Sequence, residues 1–263
     1  MKRKLWNKDT ILMLQGNAVS ALGDILYSVA IGYWVYEETG SSALMGIMSS
    51  ISMFMTMLVM PFSGSIIDKC SRKLIIVGMD TLRGVIMLAL GVLAFADSLS
   101  VPVVLAAAFL ASACSVFFSP AVNTLMLDII PHDDMVRGQS VFSGVNSFVN
   151  LVGKAISGAL VAFLGVPLIV LLNGVSYLVS AFTELFITVP KTVHQGEKIT
   201  LGGIFSDFRV AVREIFRNRY LKLFIPCALI LNLLGAGSMT LMLPFTLEKG
   251  FTSDEIAAAD RSA

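Results

Sequence analysis

Apolar residues in this chain fall in blocks of roughly 20 to 27, divided by short polar or charged breaks. A helix of that length crosses about 30 Å of hydrocarbon at about 1.5 Å per residue. The pattern predicts membrane-spanning helices near residues 10–36, 43–67, 74–96, 101–127, 139–163, 166–189 and 220–247. Composition supports this reading, because only 14% of the 263 residues are charged and 56% are hydrophobic. Soluble domains carry about a quarter charged residues. The chain therefore reads as an all-α polytopic membrane protein. Its first block is too long and too polar inside for a signal-peptide core, and no small-residue cleavage site follows it. Cys70, Cys114 and Cys227 stand singly, with no disulfide framework and no paired metal ligands.

The net charge of +1 conceals an asymmetry. Lys2, Arg3, Lys4 and Lys8 precede the first span, and Lys69, Arg72 and Lys73 lie between the second and third. Arg137 follows the fourth. Lys191, Lys198, Arg209, Arg213, Arg217, Arg219 and Lys222 crowd the sixth connection. The intervening breaks hold Glu37, Glu38 and Asp97 but no Lys or Arg. The positive-inside rule then predicts a cytoplasmic N-terminus and a cell-membrane location. The division that follows is 1–189 for a six-helix bundle, 190–219 for a cytoplasmic linker, 220–247 for a seventh span and 248–263 for a short polar tail. Within the linker, Arg209, Arg213 and Arg217 recur every four residues beside an apolar stripe of Phe205, Phe208, Val212, Ile215 and Phe216. That pattern suits an amphipathic helix on an anionic leaflet better than a partner-docking site.

Polar residues inside the spans are placed at helical spacing. Asn17, Ser20, Asp24, Tyr27 and Ser28 share one face of the first helix. Ser112, Ser115, Ser119 and Asn123 do so on the fourth, and Ser143, Ser147, Asn150, Lys154 and Ser157 on the fifth. Polar groups in hydrocarbon must face protein or water. A shared aqueous cavity framed by helices one, four and five is the simplest common cause. Asp24 and Lys154 each carry a charge near mid-span, costing about 2.5–3.5 kcal/mol on insertion scales. They are expected to face the cavity or each other. One reading is an ion pair that orients two helices. The other, preferred, has Asp24 titrating or holding a coupling cation while Lys154 counters it or meets an anionic substrate group. Asn17, Asn123 and Asn150 complete the candidate set. Gly144, Gly153 and Gly158 predict close packing of the fifth helix on a neighbour. Pro61, Pro120, Pro226 and Pro244 are candidate kinks.

A second group gathers on the basic side. Asp68 ends span two, Arg72 and Lys73 close the turn, Asp80 and Arg83 fall in the first turns of span three, and Asp128 ends span four. These charges form either a latch that holds one conformation of a moving protein or a set of ordinary interfacial anchors.

The turn itself, GSIIDKCSRK, places Gly64, Asp68, Lys69, Arg72 and Lys73 at offsets that resemble the signature loop of the major facilitator superfamily, with Ser71 at a usual glycine. In that family the loop joins an acidic group at the end of helix four in a gating network, which the resemblance assigns to Asp68, Arg72 and Asp128. Two longer segments, Ala21 to Ser41 and Phe117 to Phe148, resemble the exporter branch that includes Mef-type macrolide efflux proteins and the enterobactin exporter. Drug antiporters often carry G-P-x-x-G-G in helix five. Here Gly153, Lys154 and Gly158 stand without the proline.

The resemblance, over about residues 10 to 255, implies a six-helix N-terminal bundle of 3+3 inverted repeats plus a seventh transmembrane helix. It also implies a small-molecule substrate moved by alternating access and a coupling cation, with a proton expected. After Gly250 to Glu255 the family continues into helix eight, whereas this sequence runs on as IAAADRSA. A truncated transporter lacking its C-terminal half is therefore expected. The competing expectation is a non-transporting membrane protein or a half-unit that needs a partner. An enzyme is disfavoured, since His132 and His194 lie in loops without a nucleophile or ligand cluster, and His132, Asp133 and Asp134 read as a solvated turn. No G-x-x-x-x-G-K-[ST] loop is present to bind ATP. No cofactor, metal or nucleic-acid partner is expected, and a cytoplasmic N-terminus argues against a seven-helix receptor.

Overall fold

The computed structural model describes residues 5–188 and, beyond them, scattered positions between 203 and 231. A few side chains inside the first range, those of Pro61, Asp68 and His132 among them, lie outside the described set. Most of the linker, most of the seventh span, Pro244 and the tail lie outside it as well.

Six helices occupy the first six predicted blocks. Helix α1 (Lys8–Thr39) begins at Asn7, whose Oδ1 accepts the Thr10 amide at 2.8 Å. It ends at Gly40, whose φ of 63° few other residues tolerate and whose amide donates to the Tyr36 carbonyl. Helix α2 (Ser42–Lys69) follows after one intervening turn residue pair, and α3 (Arg72–Phe95) starts directly after Cys70 and Ser71. Helix α4 (Val101–Ile129) carries Pro102 in its first turn, where a missing amide is harmless, and Pro120 inside. A tight single-turn helix, His132–Asp134, leads into the run Met135–Glu184. At about 1.5 Å per residue those 50 residues would extend about 75 Å, too far for one crossing. Gly165, with φ 76° and ψ 158°, breaks the run just before Pro167, giving α5 (135–164) and α6 (166–184).

Four of these helical runs, the Met135–Glu184 run among them, are long and apolar enough to cross a membrane. The chain is an all-α, multi-pass membrane protein. Contacts connect α1 to α5 and α6, α3 to α6 and α4, and α2 to α4. Exchanging α1–α3 with α4–α6 maps these principal pairs onto themselves, as expected of two three-helix repeats. Smaller contacts also join α1 to α2 and to α4, and α2 to α3.

The tightest seam is between α3 and α6. A Cβ built on Gly84 would lie 2.7 Å from Leu178, one on Gly91 2.7 Å from Leu171, and one on Gly174 2.8 Å from the Leu88 amide nitrogen. Small residues let backbones approach where lipid offers no hydrophobic drive for association. Gly153 of α5 does pack on Ile25, 3.0 Å from a built Cβ, but Gly144 and Gly158 face open space. The expectation that all three serve close packing is corrected for those two.

Two apolar clusters fill the bundle. One, toward the basic turn, holds Met13, Ile76, Phe118, Leu125, Ile129 and Phe142. The other holds Ile31, Met87, Leu90, Val104, Val170 and Tyr177. Along α1, α3 and α6 a polar layer separates them, and it contains every buried charge described below. The described part of the second unit, residues 205–263, is limited. Residues 219–224 are helical there, and Asn218 Oδ1 accepts the Tyr220 amide at 3.0 Å as an N-cap.

Candidate functional site

Asp24 sits in the middle of α1, where a carboxylate needs a partner. Its partner is Tyr177 of α6, whose hydroxyl donates to Asp24 Oδ1. Gly23 makes room for this, because any side chain there would collide with Asn173 and Ser176 of α6. Behind Tyr177 lies Arg83, 3% exposed, with its guanidinium carbon 4.5 Å from the Tyr177 ring centroid and 4.2 Å from that of Phe118. Arg83 Nη2 donates to Asp80, one turn earlier on α3, and Nη1 reaches Ser115 Oγ of α4 at 3.4 Å. A cation clamped between two rings with a paired carboxylate is stabilised by both cation–π and charge-assisted contacts.

A cavity of about 370 Å³ opens on this layer. Asp24, Tyr27 and Ser28 of α1 line it together with Ser52 and Met48 of α2, Met87 of α3, Ser112 and Ser115 of α4, and Tyr177 of α6. Ser52 and Ser112 are joined across it by a 2.8 Å hydroxyl–hydroxyl bond. The polar stripes of α1 and α4 therefore do meet. The third stripe does not join them. Asn146, Ser147, Asn150 and Lys154 of α5 line a separate concavity of about 550 Å³. The frame expected from helices one, four and five is corrected to α1, α2, α3 and α4 with Tyr177 of α6. The physical reason is that α5 packs on α1 at Asn17 and Ile25 and contributes no residue to the wall around Asp24.

The individual candidates are distributed accordingly. Lys154 is exposed on α5 and the partner of Asp24 is Tyr177, so of the two readings the ion pair that orients two helices is corrected. Asn150 Nδ2 bonds back to the Asn146 carbonyl at 3.0 Å. Asn17 Nδ2 donates to Asn146 Oδ1 at 2.9 Å, tying α1 to α5. Asn123 is exposed on α4 and is absent from the wall of the Asp24 cavity.

On the basic side, Arg72 pairs with Asp128, bridging the start of α3 to the end of α4. Lys73 has a role that its place in the basic turn does not reveal. Its Nζ donates to the carbonyls of Leu185 at 2.6 Å and Ile187 at 2.8 Å, closing the end of α6. Asp9 of α1 accepts the Thr188 amide at 3.0 Å at the same place. Gly64 lies on an exposed part of α2 and Lys69 is half-buried. Asp80 and Arg83 are corrected: they belong to the interior layer, about 12 Å and 16 Å along α3 from its first residue, rather than to the surface cluster.

The residues missed from sequence are Tyr177, Asn173 and Glu184. Asn173, Tyr177, Ser180 and Glu184 recur at four, three and four residues, a helical stripe on α6 equivalent to those recognised on α1, α4 and α5. The His132–Asp134 segment is a turn, with the Asp134 amide on the Pro131 carbonyl at 2.9 Å. Among the described residues, no cluster of His, Cys, Asp or Glu could hold a metal ion.

Six helices in two interchangeable triplets, with a charged polar layer beside a mid-bundle cavity, define a membrane carrier architecture. The chain belongs to the Major Facilitator Superfamily, whose profile it matches over residues 13–259. It is similar to the "Putative bacilysin exporter BacE" of Bacillus subtilis (strain 168), at 29% identity over 79% of this chain and 51% of that protein. Macrolide efflux protein A of Streptococcus pyogenes is 22% identical over 71% of this chain and 46% of its own length. An uncharacterized MFS-type transporter of Bacillus subtilis (strain 168), YkuC, is 22% identical over 94% of this chain and 59% of its own. The chain spans about half the length of the curated relatives it matches.

Proposed function

We propose that this chain is part of an ion-coupled exporter of a small amphipathic compound, with Asp24 as the coupling carboxylate and the adjoining cavity as the substrate contact. The observation that carries this reading is Asp24 itself, held at mid-depth by Tyr177 and open to the α1–α4 cavity. A carboxylate in such a place either takes a proton or meets a cation, and both serve coupling. The walls are mostly apolar with hydroxyls at intervals, which suits an amphipathic molecule such as a macrolide-like drug or a siderophore. Arg72 and Asp128 supply a pair that holds the basic side closed and opens when the bundle moves. The N-terminus is assigned to the cytoplasm and the chain to the cell membrane, from the charge asymmetry.

The test uses everted membrane vesicles with an imposed pH gradient and a radiolabelled macrolide. The wild-type chain accumulates the label, and Asp24→Asn abolishes accumulation at equal levels of inserted protein. Unimpaired pH-driven accumulation by Asp24→Asn overturns the coupling assignment.

A second reading is a half-unit that works with a partner. One observation favours it: Ser143, Ser147, Asn150 and Lys154 are exposed on α5. Such groups do not face hydrocarbon without protein or water beside them. Vesicles in which the wild-type chain binds the label but does not accumulate it support this reading over the first.

A further inference from the structure

Glu184, the last residue of α6, is 1% exposed and has no part in the coupling role given to Asp24. Its own helix supplies Ser180, whose Oγ donates to Glu184 Oε1 at 3.2 Å. From α1 comes Gly16, where a built Cβ would lie 3.3 Å from Glu184 Oε1, and at the end of α6 the same helix places Asp9 on the Thr188 amide and Lys8 5.8 Å from the Phe186 ring centroid. From α3 come Asp80, itself 0% exposed and close enough to repel a second negative charge, and Arg83. Lys73, also from α3, lies just beyond and is engaged with the Leu185 and Ile187 carbonyls.

The charges do not balance if every acid is ionised. Asp24, Asp80 and Glu184 all lie within electrostatic reach of the same Arg83, whose hydrogen-bonded acid is Asp80. Two buried carboxyl oxygens, Asp80 Oδ2 and Glu184 Oε2, have no hydrogen-bond partner. Buried acceptors without donors are rare because each costs about 1–3 kcal/mol. A proton on the Glu184 carboxyl removes the repulsion with Asp80 and turns one of its oxygens from acceptor to donor.

We propose that Glu184 is a second proton-binding site of this chain, occupied while α6 is seated on α1 and α3. Arg83 Nε is also unpartnered, so it is the donor that an ionised Glu184 recruits. Proton release from Glu184 and re-pairing of Arg83 away from Asp80 are then one event. Because Arg83 stacks on Tyr177, and Tyr177 holds Asp24, that event is felt at the cavity. The site stands on the cluster's own geometry and does not depend on the export reading.

Infrared difference spectroscopy on the purified full chain in lipid nanodiscs tests it without any transport step. At neutral pH the wild-type chain shows a carboxylic-acid carbonyl component that shifts in D2O. Glu184→Gln loses that component, whereas Asp24→Asn keeps it. An unchanged carbonyl region in Glu184→Gln, or loss of the same component in Asp24→Asn, overturns the proposal. If Glu184→Gln does not insert, Asp80→Asn decides: with Arg83 released to Glu184 the component disappears, and its persistence overturns the proposal.

Discussion

Gly174→Ala tests the packing that holds the polar layer in place. The added methyl would lie 2.8 Å from the Leu88 amide nitrogen and 2.8 Å from Leu88 Cγ. The first neighbour is backbone, so rotation of one side chain cannot relieve it. The α3–α6 seam must open, at the about 1–3 kcal/mol typical of overpacking. Alanine returns up to about 1 kcal/mol of helix propensity over glycine. The expected net loss is about 1–2 kcal/mol. Gly144→Ala is the matched control, because nothing lies within 4 Å of a Cβ there. It is expected to be neutral or to stabilise by up to about 1 kcal/mol. Both are read from denaturant unfolding of the chain in detergent micelles. Gly174→Ala as stable as wild type, or Gly144→Ala equally destabilised, refutes the reasoning.

Arg72→Ala should lower stability in the same assay by about 1–3 kcal/mol, with the reversed pair Arg72→Asp/Asp128→Arg recovering part of the loss. Lys73→Met removes both bonds its Nζ makes to the Leu185 and Ile187 carbonyls and should speed amide exchange at Leu185 to Thr188 by about tenfold, the equivalent of about 1.4 kcal/mol. Cysteines replacing Ser52 and Ser112, in a background without native cysteines, should cross-link readily, since the two hydroxyls are 2.8 Å apart. Failure to cross-link there contradicts the placement of α2 against α4.

Most of the helical architecture is legible in the blocks of apolar residues, since span length is imposed by the bilayer rather than by tertiary packing. The break at Gly165 shows in the sequence as Gly-Val-Pro between two blocks. Helix order in the bundle is not legible, so periodicity alone groups the α5 stripe with those of α1 and α4, whereas it lines its own concavity. Periodicity says that Lys154 shares a face with Asn150 and Ser147, but not which neighbour that face meets. Asp80 and Arg83 mislead for a related reason. They are close to a basic turn in sequence, yet two to three helical turns carry them into the interior. Glu184 is the opposite case: it stands at a helix end, where an acid is ordinarily solvated. Only the packing of Gly16 and Asp80 around it makes it a buried group.

Coupling at Asp24 requires a solvent-reachable hollow between α1 and α4. Single cysteines at Ser28 and Ser112, which line that hollow, can be compared with one at Phe109, exposed on α4, using a small membrane-impermeant thiol reagent on a chain without native cysteines. The expected result is rapid modification at positions 28 and 112 and little at 109. Equal, slow modification at all three would show that no aqueous cavity reaches Asp24.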